Sequence, residues 1–417
     1  MANTGLSAAK KGKNDEFYTQ WPDIEKEVNA YIEFNPNVFR GKTILLPADD
    51  PFESNFFKYF ATKFNEFGIK KLISTSYAPS PIVNTQISLL PDLIPEEEIG
   101  MPMKIKVAYK IELTEVLDET GNGTVNIDDV IARLIKEKEV IDSGGMSNIL
   151  SYLNGDEMPD GISKYGAGDF RSQEVTALRN EADMIITNPP FSLFREFMAW
   201  IKPDEKQFSI IGNMNSVTYR EVFPLIQENK VWYGPSISSG DREFMIPDNY
   251  PLKSSGWRID DDGNKYIRVK GVRWFTNIDH GRRHQPLGLM TMADNAKYNS
   301  SKKFQATLID GKYPVYDNYP AIEVPETKAI PSDYLGVMGV PITFLDKYNP
   351  EQFNILGLSR YLKTDGMTKE FVKKYYESGQ TGTIKEGHPD LGYYDKNGIP
   401  VVTYMRVMIQ RHNIDDN

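Results

Sequence analysis

The stretch that decides the fold runs from residue 42 to residue 76 and reads KTILLPADDPFESNFFKYFATKFNEFGIKKLISTS. Its first six residues predict a short strand, and the apolar spacing from 54 to 67 predicts a helix that Gly68 ends. The run KKLISTS at 70–76 predicts a second strand. A strand, a helix and a strand at this spacing are typical of a parallel sheet.

The same alternation returns after residue 180. The run DMIIT at 183–187 predicts a strand, SLFREFMAWI at 192–201 a helix, and QFSIIG at 207–212 another strand. A helix is expected at 219–229. Shorter strand-like runs follow at 231–234, 243–246 and 272–278. The sequence therefore predicts an α/β domain over about residues 40–280.

Two regions depart from this pattern. Residues 81–160 carry 16 acidic and 6 basic side chains and interrupt the alternation, which predicts an inserted acidic subdomain. Beyond about residue 285, Pro, Tyr and Asn recur with little regular period, and a strand-like YMRVMIQR closes the chain near 404–411. A loop-rich second domain is expected there.

Composition excludes several functional classes. The 417 residues include no Cys, which rules out disulfides, Cys-based zinc sites and thiol nucleophiles. No uncharged apolar run reaches 18 residues, so we expect no transmembrane helix. The first 17 residues lack an apolar segment, so no secretory signal is expected. The default expectation is a soluble cytoplasmic protein.

Charge is distributed unevenly along the chain. The net charge is −10, and residues 81–160 alone account for a balance of that size. Residues 252–303 contain 11 basic and 5 acidic side chains, and three N-terminal lysines precede the first acid. Local charge decides what a surface attracts, so these basic zones are compatible with DNA, while a solvated surface stays open as the alternative.

The tetrapeptide Asn188-Pro189-Pro190-Phe191 directly follows a predicted buried strand. Ligands of open parallel sheets bind at the carboxyl ends of strands, and the prolines stiffen the backbone there. The Asn188 amide oxygen and the Pro189 carbonyl can both accept from one exocyclic amino group, while Phe191 stacks on its ring. A base in a duplex reaches such a pocket only when flipped out. The alternative is a rigid strand-ending turn.

Further segments carry a resemblance to a known family. They are DEFYTQ at 15–20, DDP at 49–51 with SNFFKYF at 54–60, GDFRS at 168–172, TNPPFSLFR at 187–195, WFTNID at 274–279 and GVMGVPITFL at 336–345. On these segments the chain resembles the EcoRI-type adenine-specific DNA methyltransferases. The resemblance implies a Rossmann-like S-adenosylmethionine-dependent sheet with helices on both faces. It also implies methyl transfer from S-adenosylmethionine to N6 of a flipped-out adenine in double-stranded DNA.

The resemblance also implies site residues. The catalytic corner is Asn188, Pro189, Pro190 and Phe191. The cofactor-binding candidates are Phe17, Tyr18 and Thr19 for the methionine end, Asp49 and Asp50 for the amino group or ribose, and Asp169 and Phe170 for the adenine. Because the glycine-rich turn common to methyltransferases is absent after the first strand, which of the two adjacent aspartates makes the contact stays open. No metal is required for the displacement.

The order of the motifs implies the domain organisation. We expect a flexible basic arm at 1–14, a catalytic domain at 15–285 that contains the acidic insertion at 81–160, and a target-recognition region at 286–417. The DNA-binding candidates are Lys10, Lys11, Lys13, Arg282, Arg283, Lys302 and Lys303. The expected partner is double-stranded DNA, and no association with a membrane is expected. The protein is expected to be a monomer. Whether a cognate restriction endonuclease acts on the same site stays open.

Two weaker signals and two alternatives complete the sequence-based interpretation. Residues 118–129 resemble a degenerate calcium loop, although a turn leading into a capped helix is favoured. His280 and His284 are four residues apart, and a surface loop is favoured over a metal site.

The alternatives to the main function are a methyltransferase for another planar amine, such as an RNA base or protein glutamine, and an inactive DNA-binding relative.

Overall fold

The computed structural model describes residues 19–77, 108–156, 165–237, 241–246 and 256–412. Over these residues the chain forms two compact units. The first lies within Met1–Val222 and Lys230–His280, and the second within Phe223–Asn229 and Gly281–Asn417. Among the helices that are described, none combines the length and apolar character that a membrane-spanning segment needs.

The first unit alternates helices and strands through most of its length. Its elements are α1 (Trp21–Phe34), β1 (Thr43–Leu46), α2 (Asn55–Thr62), α3 (Phe64–Phe67), β2 (Lys71–Thr75), β3 (Tyr109–Leu113), α4 (Ile127–Asp142), β4 (Leu150–Tyr152), α5 (Gln173–Glu181), β5 (Met184–Thr187), α6 (Phe194–Ile201) and β6 (Gln207–Asn213). After the short α7 (Phe223–Gln227) of the second unit come β7 (Trp232–Tyr233), β8 (Asp241–Ile246), β9 (Trp257–Ile259), β10 (Lys265–Lys270) and β11 (Val272–Thr276).

The main sheet has the order β4-β3-β2-β1-β5-β6-β11-β7 among the described strands. The inner strands β2, β1, β5 and β6 are parallel, whereas β3, β4 and β11 pair antiparallel with their neighbours. The carboxyl ends of the parallel strands consequently meet at one edge of the sheet. The predicted α/β class and the strands at 42–47, 70–76, 183–187 and 207–212 are confirmed.

Local chemistry explains why these elements form. All four residues of β1 are buried, as a strand covered on both faces requires. Helix α2 begins after Ser54, whose side chain accepts from the first helical N–H groups, and packs fully buried aromatic rings such as Phe57 and Phe60 into the core. Each such ring contributes about 1.5–3 kcal/mol by its burial. Gly68 ends α3 in a left-handed conformation, as predicted.

The helix expected at 219–229 is shorter than predicted. Only Phe223–Gln227 is helical. Pro224 lies in its first turn, where the missing N–H removes no helical hydrogen bond; in a helix that began at residue 219, the proline ring would clash with the carbonyl group of residue 220. The strand expected at 243–246 is present as β8, but it belongs to a separate three-stranded sheet with the order β8-β10-β9.

Residues 108–156, the described part of the expected acidic insertion, extend the main sheet. Strand β3 pairs with β2, β4 pairs with β3, and α4 packs against α2. The calcium-like loop ends in a capping box between Asn126 and Asp129, and Asp118 accepts from the backbone N–H groups of 122 and 123. The favoured interpretation, a turn leading into a capped helix, is confirmed.

The second unit contains more regular structure than its sequence predicts. Its elements are α7, α8 (Met292–Tyr298), α9 (Lys302–Thr307), β12 (Ile322–Glu323), β13 (Met338–Pro341), β14 (Phe353–Leu358), α10 (Lys369–Glu377), β15 (Gly392–Tyr394), β16 (Pro400–Val402) and β17 (Arg406–Arg411). One sheet has the order β12-β13-β17-β14, and β15 pairs with β16. A buried ion pair between Glu323 and Arg406 ties β12 to β17, and Tyr316 donates to the same carboxylate.

The prediction of a surface loop is wrong for His280. Its side chain is 3% exposed, and its Nε2 lies 3.0 Å from the Tyr233 carbonyl oxygen. His284 instead lies 2.9 Å from a Glu351 carboxylate oxygen in the second unit. Among the described residues, no group of three or more His, Asp or Glu side chains is placed to hold a metal ion.

Candidate active site

The turn after β1 is tied to the end of β2. Ala48 adopts a left-handed conformation with φ of 61°, which costs a non-glycine residue about 1–2 kcal/mol. Its backbone N–H donates to Thr75 Oγ1 at 3.1 Å, and the Ser74 hydroxyl donates to the Asp49 carbonyl oxygen. These two bonds hold the strained turn in place.

Asp49 carries a carboxylate with one satisfied and one unsatisfied oxygen. Ser54 donates to Oδ1 at 2.8 Å, whereas Oδ2 is buried and accepts no hydrogen bond of ordinary geometry from the described residues. Burial raises the pKa of Asp49 to about 7, against the lowering effect of the Thr187 and Ser54 hydroxyls. The neighbouring Asp50 adds a smaller upward contribution. A buried oxygen of this kind fits a ligand that brings an N–H or O–H donor.

Asp50 has a different environment. The Tyr109 hydroxyl lies 2.7 Å from both carboxylate oxygens, and the Phe52 backbone N–H donates to Oδ1 at 2.9 Å. Burial raises the pKa of Asp50, and Lys138 and Lys58 oppose that effect. Because Tyr109 lies on β3, Asp50 joins the turn after β1 to the extended edge of the sheet.

Thr19 lies close to this turn through helix α2. The Asn55 side-chain amide donates to the Thr19 carbonyl oxygen at 2.8 Å, and Asn55 directly follows Ser54. Thr19 is 4% exposed, and its hydroxyl is buried without a hydrogen-bond partner among the described residues. The structure therefore brings Thr19 and Asp49 to the same helix start. Phe17 and Tyr18 lie outside the described residues.

The Asn188-Pro189-Pro190-Phe191 corner follows β5, the neighbour of β1. Thr187 donates from its hydroxyl to the Pro47 carbonyl oxygen at 3.0 Å, so the ends of β5 and β1 are joined directly. Asn188 is half-buried, Pro189 and Pro190 are buried, and Phe191 packs against the main core. The Pro190 carbonyl oxygen accepts from Leu193 N–H at 2.9 Å, which starts the turn into α6.

Gly168 brings the segment 168–170 against the end of β2. Its φ is 78°, and a Cβ atom there would lie 1.9 Å from the Ser76 carbonyl oxygen. Only glycine allows this approach. Asp169 is 5% exposed and accepts two bonds from the Arg171 guanidinium, at 2.9 and 2.8 Å. Phe170 is buried.

The Phe170 ring packs among aromatic side chains of helix α6. It meets Phe197 and Trp200 edge to face, with ring centroids 5.0 and 5.5 Å away. Such pairs are worth about 0.5–1.5 kcal/mol beyond the area they bury. The ring therefore anchors the 168–170 segment to the first unit, in addition to any contact with a ligand.

Comparison with known proteins decides the family. The family model described as adenine-specific methyltransferase EcoRI matches residues 5–412. The chain is 39% identical to the type II methyltransferase M.EcoRI of Escherichia coli over 85% of this chain and 89% of the relative. It is 31% identical to the type II methyltransferase M.MpnI of Mycoplasma pneumoniae over 84% of each chain. No solved structure matched.

The chain belongs to the EcoRI family of adenine-specific methyltransferases. It is accordingly an enzyme, and its methyl donor is S-adenosylmethionine.

The basic residues predicted for DNA contact in this EcoRI-family enzyme occupy different environments. Lys10, Lys11 and Lys13 lie outside the described residues. Arg283 is 8% exposed and donates to the Asn229 side-chain oxygen, so it supports the second unit. Lys302 is exposed, Arg282 is half-buried, and exposed Lys303 donates to the Pro325 carbonyl oxygen at 3.1 Å.

Sequence reasoning missed three residues that shape this EcoRI-family site. Ser54, Tyr109 and Thr187 each bond to the turn after β1 or to an aspartate in it. Ser54 carried a recognisable signal, since a serine before an apolar helical run is typical of a helix N-cap. Tyr109 carried none, because its contact with Asp50 spans 59 residues.

Proposed function

We propose that the protein is a site-specific DNA methyltransferase that modifies N6 of an adenine flipped out of double-stranded DNA. Family membership supports adenine methylation of DNA with S-adenosylmethionine as the donor. The observation that carries the proposal is the bond from Thr187 to the Pro47 carbonyl oxygen, which joins the Asn188 corner to the turn that holds Asp49. Methyl transfer requires that the methyl donor and the target base be held side by side, and binding sites at adjacent strand ends meet that requirement.

The proposed fold of the first unit is the Rossmann-like methyltransferase sheet with helices on both faces. Its support is the run of parallel strands β2, β1, β5 and β6 followed by antiparallel β11. In open parallel sheets, ligands bind outside the carboxyl ends of the strands. The turn after β1 and the corner after β5 both lie at those ends.

We assign the cofactor contact to Asp49 rather than to Asp50. Asp49 Oδ2 is buried and unsatisfied among the described residues, whereas Asp50 has two donors close by: the Tyr109 hydroxyl lies 2.7 Å from both of its oxygens, and Phe52 N–H donates to Oδ1. The buried Thr19 hydroxyl is the second group suited to hold the cofactor, together with Phe17 and Tyr18 of the same motif. For Asp169 the proposed partner is the cofactor adenine, since Oδ1 accepts two bonds from Arg171 whereas Oδ2 accepts one and retains acceptor capacity. Phe170 would meet the same ring.

The proposed chemistry needs only positioning and electrostatics. The Asn188 amide oxygen and the Pro189 carbonyl accept the two protons of the target amine, which pulls its nitrogen lone pair out of conjugation, while Phe191 stacks on the base. When bound, S-adenosylmethionine supplies an electrophilic methyl group on a positively charged sulfur. The new N–C bond forms as the S–C bond breaks, the sulfur leaves with that electron pair, and the amine's surplus proton passes to water.

The remaining proposals concern organisation and partners. We assign residues 15–285 to catalysis, with the acidic insertion at 81–160, residues 286–417 to target recognition and residues 1–14 to a basic arm on DNA. The division into two units near residue 280 supports this assignment. A cytoplasmic monomer and a restriction endonuclease for the same site belong to the proposal as well.

The test of the proposed function is a product analysis. The purified protein is incubated with S-adenosylmethionine labelled in its methyl group and, in separate reactions, with duplex DNA, RNA or a glutamine-containing protein. Digestion of the DNA should release labelled N6-methyladenine. Label that enters only RNA or protein, or enters no acceptor although the cofactor binds, would contradict the proposal.

A further inference from the structure

A cavity with basic walls lies in the second unit. It has a volume of about 370 Å³ and is lined by Arg282, Lys328 and Lys347 together with Thr327, Gln285 and Gly288, among others. Every charged side chain in its lining is basic, and no carboxylate takes part. A concave surface of one charge sign concentrates counter-ions of the opposite sign. The cavity therefore suits an anion.

The three cations are carried on separate turns, and those of the two lysines are held by buried groups. Arg282 lies in the 3₁₀ turn Gly281–His284, Lys328 in Thr327–Ala329 and Lys347 at the end of Ile342–Lys347. The turn of Lys328 is fixed because Tyr313 donates from its buried hydroxyl to the Ala329 carbonyl oxygen at 2.7 Å. The turn of Lys347 is fixed by the buried side chains of residues 344 and 345.

Gln352 holds the lining segment of the cavity that contains Leu287. Its side-chain oxygen accepts from Leu287 N–H at 2.6 Å, and its side-chain nitrogen donates to the Leu287 carbonyl oxygen at 3.3 Å. This bidentate contact fixes the segment that carries Gln285 and Gly288. The backbone around the cations is therefore preorganised, which lowers the entropy cost of binding a ligand there.

The lysines have little competition from protein carboxylates. Lys347 is exposed and forms no ion pair with the described residues. Lys328 is 60% exposed and meets one carboxylate oxygen, that of Glu326, at 3.5 Å. An exposed pair of this kind contributes little to stability, so an incoming phosphate can replace it.

We propose that this cavity, defined by Arg282, Lys328 and Lys347, holds a backbone phosphodiester of the DNA substrate. The inference rests on the proposed function, which makes duplex DNA the substrate. An Arg fork, ammonium groups, a Thr hydroxyl and a glycine backbone are groups that contact phosphate oxygens in protein–DNA interfaces. A phosphate contact fixes the register of the DNA on the protein and carries no base sequence. Lys328 and Lys347 thereby become positioning residues for the substrate.

The test is the salt dependence of DNA binding by the full-length double variant K328Q/K347Q. Because the two lysines are proposed to neutralise a single phosphate, their loss should reduce the magnitude of the slope of log affinity against log salt by about 1. The loss should be alike for DNA with and without the recognition site. The rate constant at saturating DNA and the affinity for S-adenosylmethionine should stay at wild-type values. The matched control is K70Q/K202Q, which removes two exposed lysines before β2 and β6, at the sheet edge opposite the candidate active site.

Three outcomes would overturn the inference. The first is a salt slope of K328Q/K347Q equal to that of the wild type. The second is an equal change of the slope in the control K70Q/K202Q. The third is stabilisation of the wild type by inorganic phosphate, with the salt slope of K328Q/K347Q unchanged. The last outcome would identify a site for free phosphate instead of DNA. A wild-type protein that does not methylate DNA refutes the proposed function, whereas one that methylates DNA with an unaltered variant slope refutes this inference alone.

Discussion

The Ser54 hydroxyl links Asp49 to the start of helix α2. It donates to Asp49 Oδ1 at 2.8 Å and accepts from Phe56 N–H at 3.1 Å and Phe57 N–H at 3.4 Å. One serine thus caps the helix and orients the carboxylate. The other carboxylate oxygen, Oδ2, is buried and accepts no hydrogen bond from the described residues. It can therefore accept a hydrogen bond from a bound ligand.

Replacing each of the two adjacent aspartates should separate binding from stability. Asp49→Asn should weaken S-adenosylmethionine binding about ten- to a hundredfold, as loss of one charge-assisted hydrogen bond implies. Asp50→Asn should lower the free energy of unfolding by about 1–3 kcal/mol, because a single acceptor oxygen then serves both the Tyr109 hydroxyl and Phe52 N–H while a new NH2 group is buried beside them. Calorimetry measures the first quantity and urea unfolding the second.

Each aspartate variant is the control for the other. The assignment of Asp49 to the cofactor fails if Asp50→Asn loses the greater share of cofactor affinity while its unfolding curve matches that of the wild type.

The raised pKa of Asp49 predicts a pH dependence of stability. Burial raises this pKa from 3.8 to about 7, so the folded protein holds the proton more tightly than the unfolded chain. The resulting stabilisation is complete below about pH 4 and is lost as the pH rises through about 7. The difference in unfolding free energy between wild type and Asp49→Asn, measured without cofactor, should therefore fall over this range. A constant difference would contradict the raised pKa.

Cofactor affinity should respond to the same ionisation in the opposite direction. A negative carboxylate attracts the cationic donor, so affinity should rise from about pH 5.5 to 7.0, below the ionisation of an α-amino group at about 7.7–8.0. Asp49→Asn should show no such rise. Equal pH profiles for the two proteins, measured by calorimetry, would place the ionising group elsewhere.

Gly168→Ala should damage the fold near the end of β2. A Cβ there would lie 1.9 Å from the Ser76 carbonyl oxygen, and φ is 78°. Gly121→Ala is the matched control, since Gly121 has φ of 72° and open space around its Cβ position. The control should cost about 1 kcal/mol of unfolding free energy and Gly168→Ala at least twice as much, with weaker cofactor binding. Equal losses in urea unfolding would show that the backbone is free to move away.

Local sequence patterns predicted the parallel core well. Strands β1, β2, β5 and β6 combine buried apolar runs with clear turn residues, and the corner at Asn188 follows the third of these strands as expected. These features depend on residues that are close together in the sequence. Because the connections between alternating strands and helices are short and right-handed, few sheet topologies are then possible.

Long-range pairings were beyond local patterns. Strand β3 pairs antiparallel with β2, and Tyr109 on β3 contacts Asp50. Both pairings connect segments that lie far apart in the sequence, on either side of a stretch whose composition differs from that of the core. The engagement of Asp169 by Arg171 and the packing of Phe170 on Phe197 were also missed, because a motif shows which residues are present and not which neighbours they bind. In the second unit, β12, β13 and β14 are short or lack a clear alternating pattern, so they read as loops.

The most direct measurement for the central claim is methyl transfer by Asn188→Ala, paired with calorimetry of S-adenosylmethionine on the same preparation. We expect methylation of duplex DNA to be abolished, because the target amine loses its side-chain acceptor, while cofactor affinity stays within about tenfold of wild type. Wild-type methylation by this variant, or loss of cofactor binding with activity retained, would contradict it.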